Sequence, residues 1–113
     1  MFLQIETAEG VENAEAMAAI DGVDCLWVGH FDLSVSLGIP GEFDHPTFKA
    51  AIDKTVAAAK KHGKSLGRLV PNVAQGVEIY GQGFDFVCYS GDVWLLQAAL
   101  AEGIAALREG CRQ

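Results

Sequence analysis

The chain has 113 residues, half of them hydrophobic, and a formal net charge of −7 from 8 basic and 15 acidic residues. It is too apolar for a disordered protein and too acidic for a general nucleic-acid binder, which needs a basic surface. No apolar run reaches the ~18 residues of a membrane span, and the first ten residues lack the basic region of a signal peptide. Three widely spaced cysteines without a C-x-x-C motif (Cys25, Cys88 and Cys111) favour a reduced, cytoplasmic protein.

Strand-like runs alternate with helix-like runs along the whole chain. We predict strands at residues 2–6, 24–28, 65–70 and 84–89. The first helix is predicted at residues 11–19, and a short turn of helix at residues 33–37 follows the second strand. The clearest helix begins near Pro46 and has an apolar stripe at 3.6-residue spacing from Phe48 to Ala59. Later helices begin near residues 72 and 92, and the last has a Leu/Ala face that we expect to be core or interface.

This alternation predicts an α/β fold of four βα units, in which parallel strands are joined by right-handed crossovers. Two architectures fit the pattern. One is a small, open, doubly wound sheet. The other is half of a (β/α)₈ TIM barrel, because a whole barrel needs about 250 residues. Since the sequence contains no linker or low-complexity tract, we expect a single domain over residues 1–113.

Two carboxylates follow the first two predicted strands. Glu6 ends the first strand, on the same face as Gln4, and Asp32 lies four residues beyond the second strand. Active sites of parallel α/β sheets lie at the carboxyl ends of the strands, where a pair of carboxylates favours Mg²⁺ or Mn²⁺. The structural alternatives are that Glu6 accepts backbone amides of the next helix and that Asp32 caps the short helix after it. Paired carboxylates also serve glycoside hydrolysis, although no aromatic sugar-binding pattern accompanies them.

The turn between the second strand and Asp32 is the candidate anion site. Gly29 allows a ligand to approach the backbone closely, and the successive N–H groups of this turn can bind a carboxylate. His30 is a candidate general base or a donor that orients a metal ligand, with a plain turn residue as the alternative. His45 and His62 are expected to serve a helix start and a helix end.

Several short motifs, taken together, resemble the HpcH/HpaI aldolase family. They are QIET at residues 4–7, GVEN at 10–13, DGVD at 21–24 and VGHFDLS at 28–34. The resemblance continues through DHP at 44–46, GK at 63–64, SGDV at 90–93 and LL at 95–96, so it covers nearly the whole chain. Members of this family are class II, metal-dependent pyruvate aldolases and are similar to the citrate lyase β-subunit group.

The resemblance implies a (β/α)₈ barrel of which this chain is the C-terminal half, strands five to eight. It implies that Glu6 and Asp32 bind a divalent metal ion, Mg²⁺ or Mn²⁺ with Co²⁺ possible, and that Gln4 lines the pyruvate site. The backbone of Gly29, His30 and Phe31 is implied to hold the pyruvate carboxylate. The family usually has proline where this chain has His30. Because the family's catalytic histidine and pyruvate-binding arginine lie in its N-terminal half, we assign no catalytic residue here.

The resemblance therefore implies a carbon–carbon lyase that acts on a 2-keto acid with a pyruvate moiety and on an aldehyde. We expect a homo-oligomer or a complex with a complementing N-terminal half-barrel. The first alternative is a non-catalytic half-barrel that dimerises, because four parallel strands leave two open edges that can pair. The second is a related lyase that acts on a CoA thioester.

Overall fold

The computed structural model of the chain describes residues 1–112, so Gln113, the last residue of the predicted domain, lies outside the described residues. The four strands are β1 (Phe2–Ile5), β2 (Cys25–Val28), β3 (Ser65–Val70) and β4 (Phe86–Tyr89). The helices are α1 (Ala8–Glu12), α2 (Ala14–Ala18), α3 (His30–Ser36), α4 (Pro46–Lys61), α5 (Val73–Gly81) and α6 (Asp92–Gly110). The predicted alternation of strands and helices is confirmed.

The strands form one parallel sheet in the order β1-β2-β3-β4. A doubly wound sheet reverses its strand order at a switch point, whereas a barrel adds each strand beside the previous one. The strictly sequential order therefore excludes the open doubly wound alternative and confirms the half-barrel.

The sheet is curved towards the face that carries no helices. Neighbouring strands lie about 4.8 Å apart, so β1 and β4 would be roughly 14 Å apart in a flat sheet. The ring centroids of Phe2 on β1 and Phe86 on β4 nevertheless lie 5.2 Å apart, and Trp27 on β2 lies 5.7 Å from Phe86. Phe2 and Phe86 remain exposed. The wall of a β/α barrel curves in the same direction, towards the interior of the barrel.

The hydrophobic core lies on the opposite, helix-covered face of the sheet. Strand residues of this face pack under α4, whose predicted stripe is buried at Phe48, Ala51, Ile52, Thr55 and Ala59. The helix begins as expected at His45, whose Nδ1 accepts a hydrogen bond from the Thr47 backbone N–H at 3.2 Å. The residues of the buried cluster that come from the strands are Ile5, Leu26, Val28, Leu66 and Val70.

The first predicted helix is not continuous, because it is divided at Asn13 into α1 and α2. The Asn13 side-chain amide donates to the Glu9 carbonyl oxygen at 3.0 Å. Asparagine side chains compete in this way with the helical hydrogen bonds of the backbone. Both short helices still bury small apolar residues against the core, namely Val11, Ala14 and Ala18.

The C-terminal helix α6 contributes nothing to the core of the described residues. All 19 of its residues are exposed, including Leu96, Leu100 and Ile104. The groove that α5 and β4 form is also apolar and open, with a volume of about 360 Å³. Of the two expected roles for the apolar face of α6, a core role is thus excluded within residues 1–112. No helix in this part of the chain is long and apolar enough to cross a membrane.

Replacement of Phe84 by alanine tests the core directly. Phe84 is fully buried between α5 and the start of β4. We expect Phe84→Ala to lower the free energy of unfolding by about 3–5 kcal/mol, because truncation leaves a cavity. The measurement is urea denaturation followed by circular dichroism. Val35→Ala, at a residue that is 63% exposed, is the control and should change stability by less than about 0.5 kcal/mol; equal effects of both variants would contradict this core.

Candidate metal centre

Glu6 lies immediately after β1, and its half-buried carboxylate is held in place by Gln4. The Gln4 side-chain amide Nε2 donates to Glu6 Oε2 at 2.6 Å. Both residues are on the inner, helix-free face, because alternate residues of a strand share a face and Ile5 between them is buried in the core. The carboxyl edge of the sheet thus presents an oriented carboxylate.

Gly29 makes room for this pair. Its backbone N–H donates to the Ile5 carbonyl oxygen at 3.0 Å, which extends the pairing of β1 with β2. A Cβ atom at Gly29 would lie 2.9 Å from Gln4 Nε2, 2.9 Å from Glu6 Cβ and 3.2 Å from Glu6 Oε2. The Gln4–Glu6 pair therefore lies directly over the glycine, and any larger residue would displace it.

Asp32 lies in the first turn of α3, three residues after Gly29. The N-cap of α3 is Gly29, without a side-chain cap, so the interpretation of Asp32 as the cap of this helix is wrong. The alternative that Glu6 accepts backbone amides of the next helix is also wrong. Thr7 caps that helix instead, because its side chain accepts from the Gly10 N–H at 2.9 Å. Within residues 1–112 the Asp32 carboxylate accepts no hydrogen bond and forms no ion pair. Neither carboxylate is thus consumed by a purely structural role.

The donor set fits a hard divalent cation that is held by few protein ligands. Two carboxylates supply oxygen donors, which Mg²⁺ and Mn²⁺ prefer. In the described part of the chain no three histidine, cysteine, aspartate or glutamate side chains cluster as a metal cage. A cation bound by Glu6 and Asp32 would keep coordination positions for other ligands.

The His30 side chain is buried and packs against aromatic rings. It is 5% exposed, and its ring lies 4.5 Å from that of Phe31 and 5.3 Å from that of Phe43. Burial, with a smaller effect of the Arg68 charge, lowers the pKa of His30 to about 4. The imidazole is therefore neutral near pH 7 and brings no positive charge to carboxylate binding.

Sequence analysis missed Arg68, a charged residue within the otherwise apolar strand β3. It is 6% exposed and lies on the helix-covered face, in register with Val28. The signal was available, because a buried strand of a parallel α/β sheet normally carries apolar residues throughout.

Gly29→Ala tests the close packing at this edge. The added Cβ collides with Gln4 and Glu6, so we expect a loss of about 1–3 kcal/mol in the free energy of unfolding. The matched control is Gly81→Ala at the end of α5, where an added Cβ would meet no atom within 4 Å. Chemical denaturation of both variants gives the measurement. A Gly29→Ala variant as stable as the Gly81→Ala variant would show that the pair does not lie over Gly29.

Two curated relatives of this chain are named as aldolases. This chain is 40% identical over 105 residues to a hydroxypyruvate/pyruvate aldolase of Chromohalobacter salexigens. The aligned region covers 93% of this chain and 41% of that protein. It is 40% identical over 99 residues to a 5-keto-4-deoxy-D-glucarate aldolase of Klebsiella pneumoniae, covering 88% of this chain and 39% of the relative.

The fold of this chain is also found in a solved structure. The crystal structure of an HpcH/HpaI aldolase/citrate lyase family protein from Burkholderia cenocepacia superimposes with a TM-score of 0.89 at 34% identity, over 95% of this chain and 42% of the other. This chain thus spans about two fifths of the length of the relatives it matches. The family profile itself matches residues 1–99. The chain belongs to the HpcH/HpaI aldolase/citrate lyase family.

Proposed function

We propose that this chain supplies the metal and pyruvate-carboxylate site of a class II aldolase that forms or cleaves a carbon–carbon bond of a 2-keto acid. The observation that carries the proposal is the Glu6 carboxylate, held by Gln4 over Gly29 at the carboxyl edge of the sheet. The family assignment and the two aldolase relatives support the reaction class.

Each residue of the site has a distinct part in this proposal. Glu6 and Asp32 bind Mg²⁺ or Mn²⁺, with Co²⁺ as a further candidate, and Gln4 fixes the orientation of the Glu6 carboxylate. The backbone N–H groups of Gly29, His30 and Phe31 bind the substrate carboxylate. When bound, the cation supplies positive charge that stabilises the enolate formed as the carbon–carbon bond breaks.

Turnover also needs a group that moves the proton and a binding site for the aldehyde. We assign neither to residues of this chain. We propose instead that a complementing N-terminal half-barrel supplies them. The inner aromatic face, on which Phe2 and Phe86 are exposed and Trp27 is half-buried, supports a partner on the inner side, because such a face is costly in water. A cytoplasmic location belongs to the same proposal, since all three cysteines are free thiols.

Metal binding tests the site assignment without requiring turnover. We expect Glu6→Gln to weaken Mn²⁺ binding by at least tenfold, which corresponds to ~1.4 kcal/mol, because an amide carries no charge to offset that of the cation. The measurement is isothermal titration calorimetry with the 113-residue chain, followed by addition of pyruvate. Pyruvate should bind more tightly in the presence of Mn²⁺.

Glu9→Gln is the matched control for this experiment. Glu9 is an exposed residue of α1 that has no part in the site, so its replacement should leave the Mn²⁺ affinity unchanged. Asp32→Asn should behave like Glu6→Gln. Unchanged Mn²⁺ affinity in both site variants would remove the metal assignment, and a stable dimer without Mn²⁺-dependent pyruvate binding would favour the non-catalytic half-barrel.

We also propose a homo-oligomer in which the apolar face of α6 is covered by another copy of the chain. Leu96, Leu100 and Ile104 are between 48% and 62% exposed along this helix. The open groove between α5 and β4 is lined by apolar side chains such as Val77 and Tyr89. Two exposed apolar surfaces on one chain can cover each other in a symmetric dimer.

Charges placed on α6 test this proposal. We expect Leu100→Glu combined with Ile104→Glu to shift the chain towards the monomeric mass, because burial of the two charges would oppose association. Size-exclusion chromatography with light scattering measures the mass. Glu102→Gln, at an exposed acidic residue of the same helix, is the control and should leave the mass as it is. A wild-type chain that is already monomeric would contradict the oligomer.

A further inference from the structure

A cleft of about 520 Å³ opens between α4 and α5, on the helix-covered side of β3. Its walls are partly apolar, formed by Phe43, Phe48, Ile52 and Ile79. The side chain of Arg68 on β3 also lines it. Lys49 lines the cleft as well, so this amphipathic cavity has two cationic groups, of which Arg68 is buried and Lys49 is exposed.

Arg68 has no anionic partner in the described part of the chain. Arg68 is 6% exposed, and its Nε atom is buried without a hydrogen-bond partner. None of the ion pairs of residues 1–112 involves it. Its guanidinium carbon lies 6.0 Å from the centroid of the Phe43 ring. Burial lowers the pKa of Arg68, and the charge of Glu78 offsets this in part. Because a buried cation is costly unless it is paired, the Arg68 guanidinium lacks an anion in direct contact with it.

The acidic side chains around the cleft limit how much negative charge it can accept. Asp44 is engaged with Lys49 at 3.0 Å, whereas Asp53 and Glu78 also line the cleft without an ion pair in residues 1–112. A group with one negative charge can pair with Arg68, but a second negative charge would meet these two carboxylates. This arrangement favours a carboxylate over phosphate or a dicarboxylate.

We propose that the cleft binds a small monocarboxylate with an apolar or aromatic body. The planar guanidinium of Arg68 matches a carboxylate with two parallel hydrogen bonds, and the walls around Phe43 and Phe48 accept the apolar part. The site is distinct from the candidate metal centre, because Arg68 and Glu6 lie on opposite faces of the sheet. The proposal therefore does not depend on the proposed aldolase function.

Benzoate is the probe for this site, and benzamide is its neutral counterpart of the same shape. We expect saturable binding of benzoate to the 113-residue chain in calorimetry or in nuclear magnetic resonance titrations. Benzamide and inorganic phosphate should bind at least tenfold more weakly, and Arg68→Met should weaken benzoate binding by at least tenfold. Circular dichroism of Arg68→Met checks that this variant is folded.

Glu78 is the competitor for Arg68 within the chain. Its carboxylate is exposed, lines the same cleft and, within residues 1–112, accepts only a 3.4 Å hydrogen bond from Gln82. We expect Glu78→Gln to bind benzoate at least as tightly as the wild type does. Absence of benzoate binding by the wild type, or equal binding of benzoate and benzamide, would overturn the proposal without any variant.

Discussion

The candidate site depends on the absence of a side chain at Gly29. Because β1 and β2 pair in parallel, the residue after β2 lies beside the residue after β1. The Gln4–Glu6 pair passes so close over Gly29 that an added Cβ atom would lie only 2.9 Å from it. The amide of Gln4 then holds Glu6 at 2.6 Å. One glycine thereby determines where the carboxylate lies, and the same residue begins the helix that carries Asp32.

The two faces of the sheet have different chemistry, and this follows from strand alternation. The helix-covered face carries the apolar core, and on the same face the buried Arg68 lines the open cleft between α4 and α5. The inner face is aromatic and open, and it carries Gln4 and Glu6 towards the carboxyl edge. Since a barrel buries both faces of its wall, the open inner face fits a chain that spans about two fifths of its relatives.

Much of the fold could be predicted because it is encoded locally. The strands were found within two residues of their observed bounds, and the stripe of α4 is buried as its spacing predicts. Two features depend on side-chain competition or on packing between distant segments, so the pattern did not reveal them: the break at Asn13 and the exposure of α6. The burial of Arg68 could have been predicted from its place in a strand of a parallel sheet. For the candidate site, residue types and strand ends led to the prediction that Glu6 and Asp32 bind a metal ion, whereas the contact of Gln4 with Glu6 needed coordinates.

Anomalous X-ray diffraction from crystals of the chain grown with Mn²⁺ and pyruvate tests the central claim most directly, because it locates the metal without an assay. We expect one strong manganese peak, coordinated by carboxylate oxygens of both Glu6 and Asp32 at the carboxyl edge of the sheet. A peak bound to other side chains, or bound to Glu6 while Asp32 points elsewhere, would contradict it.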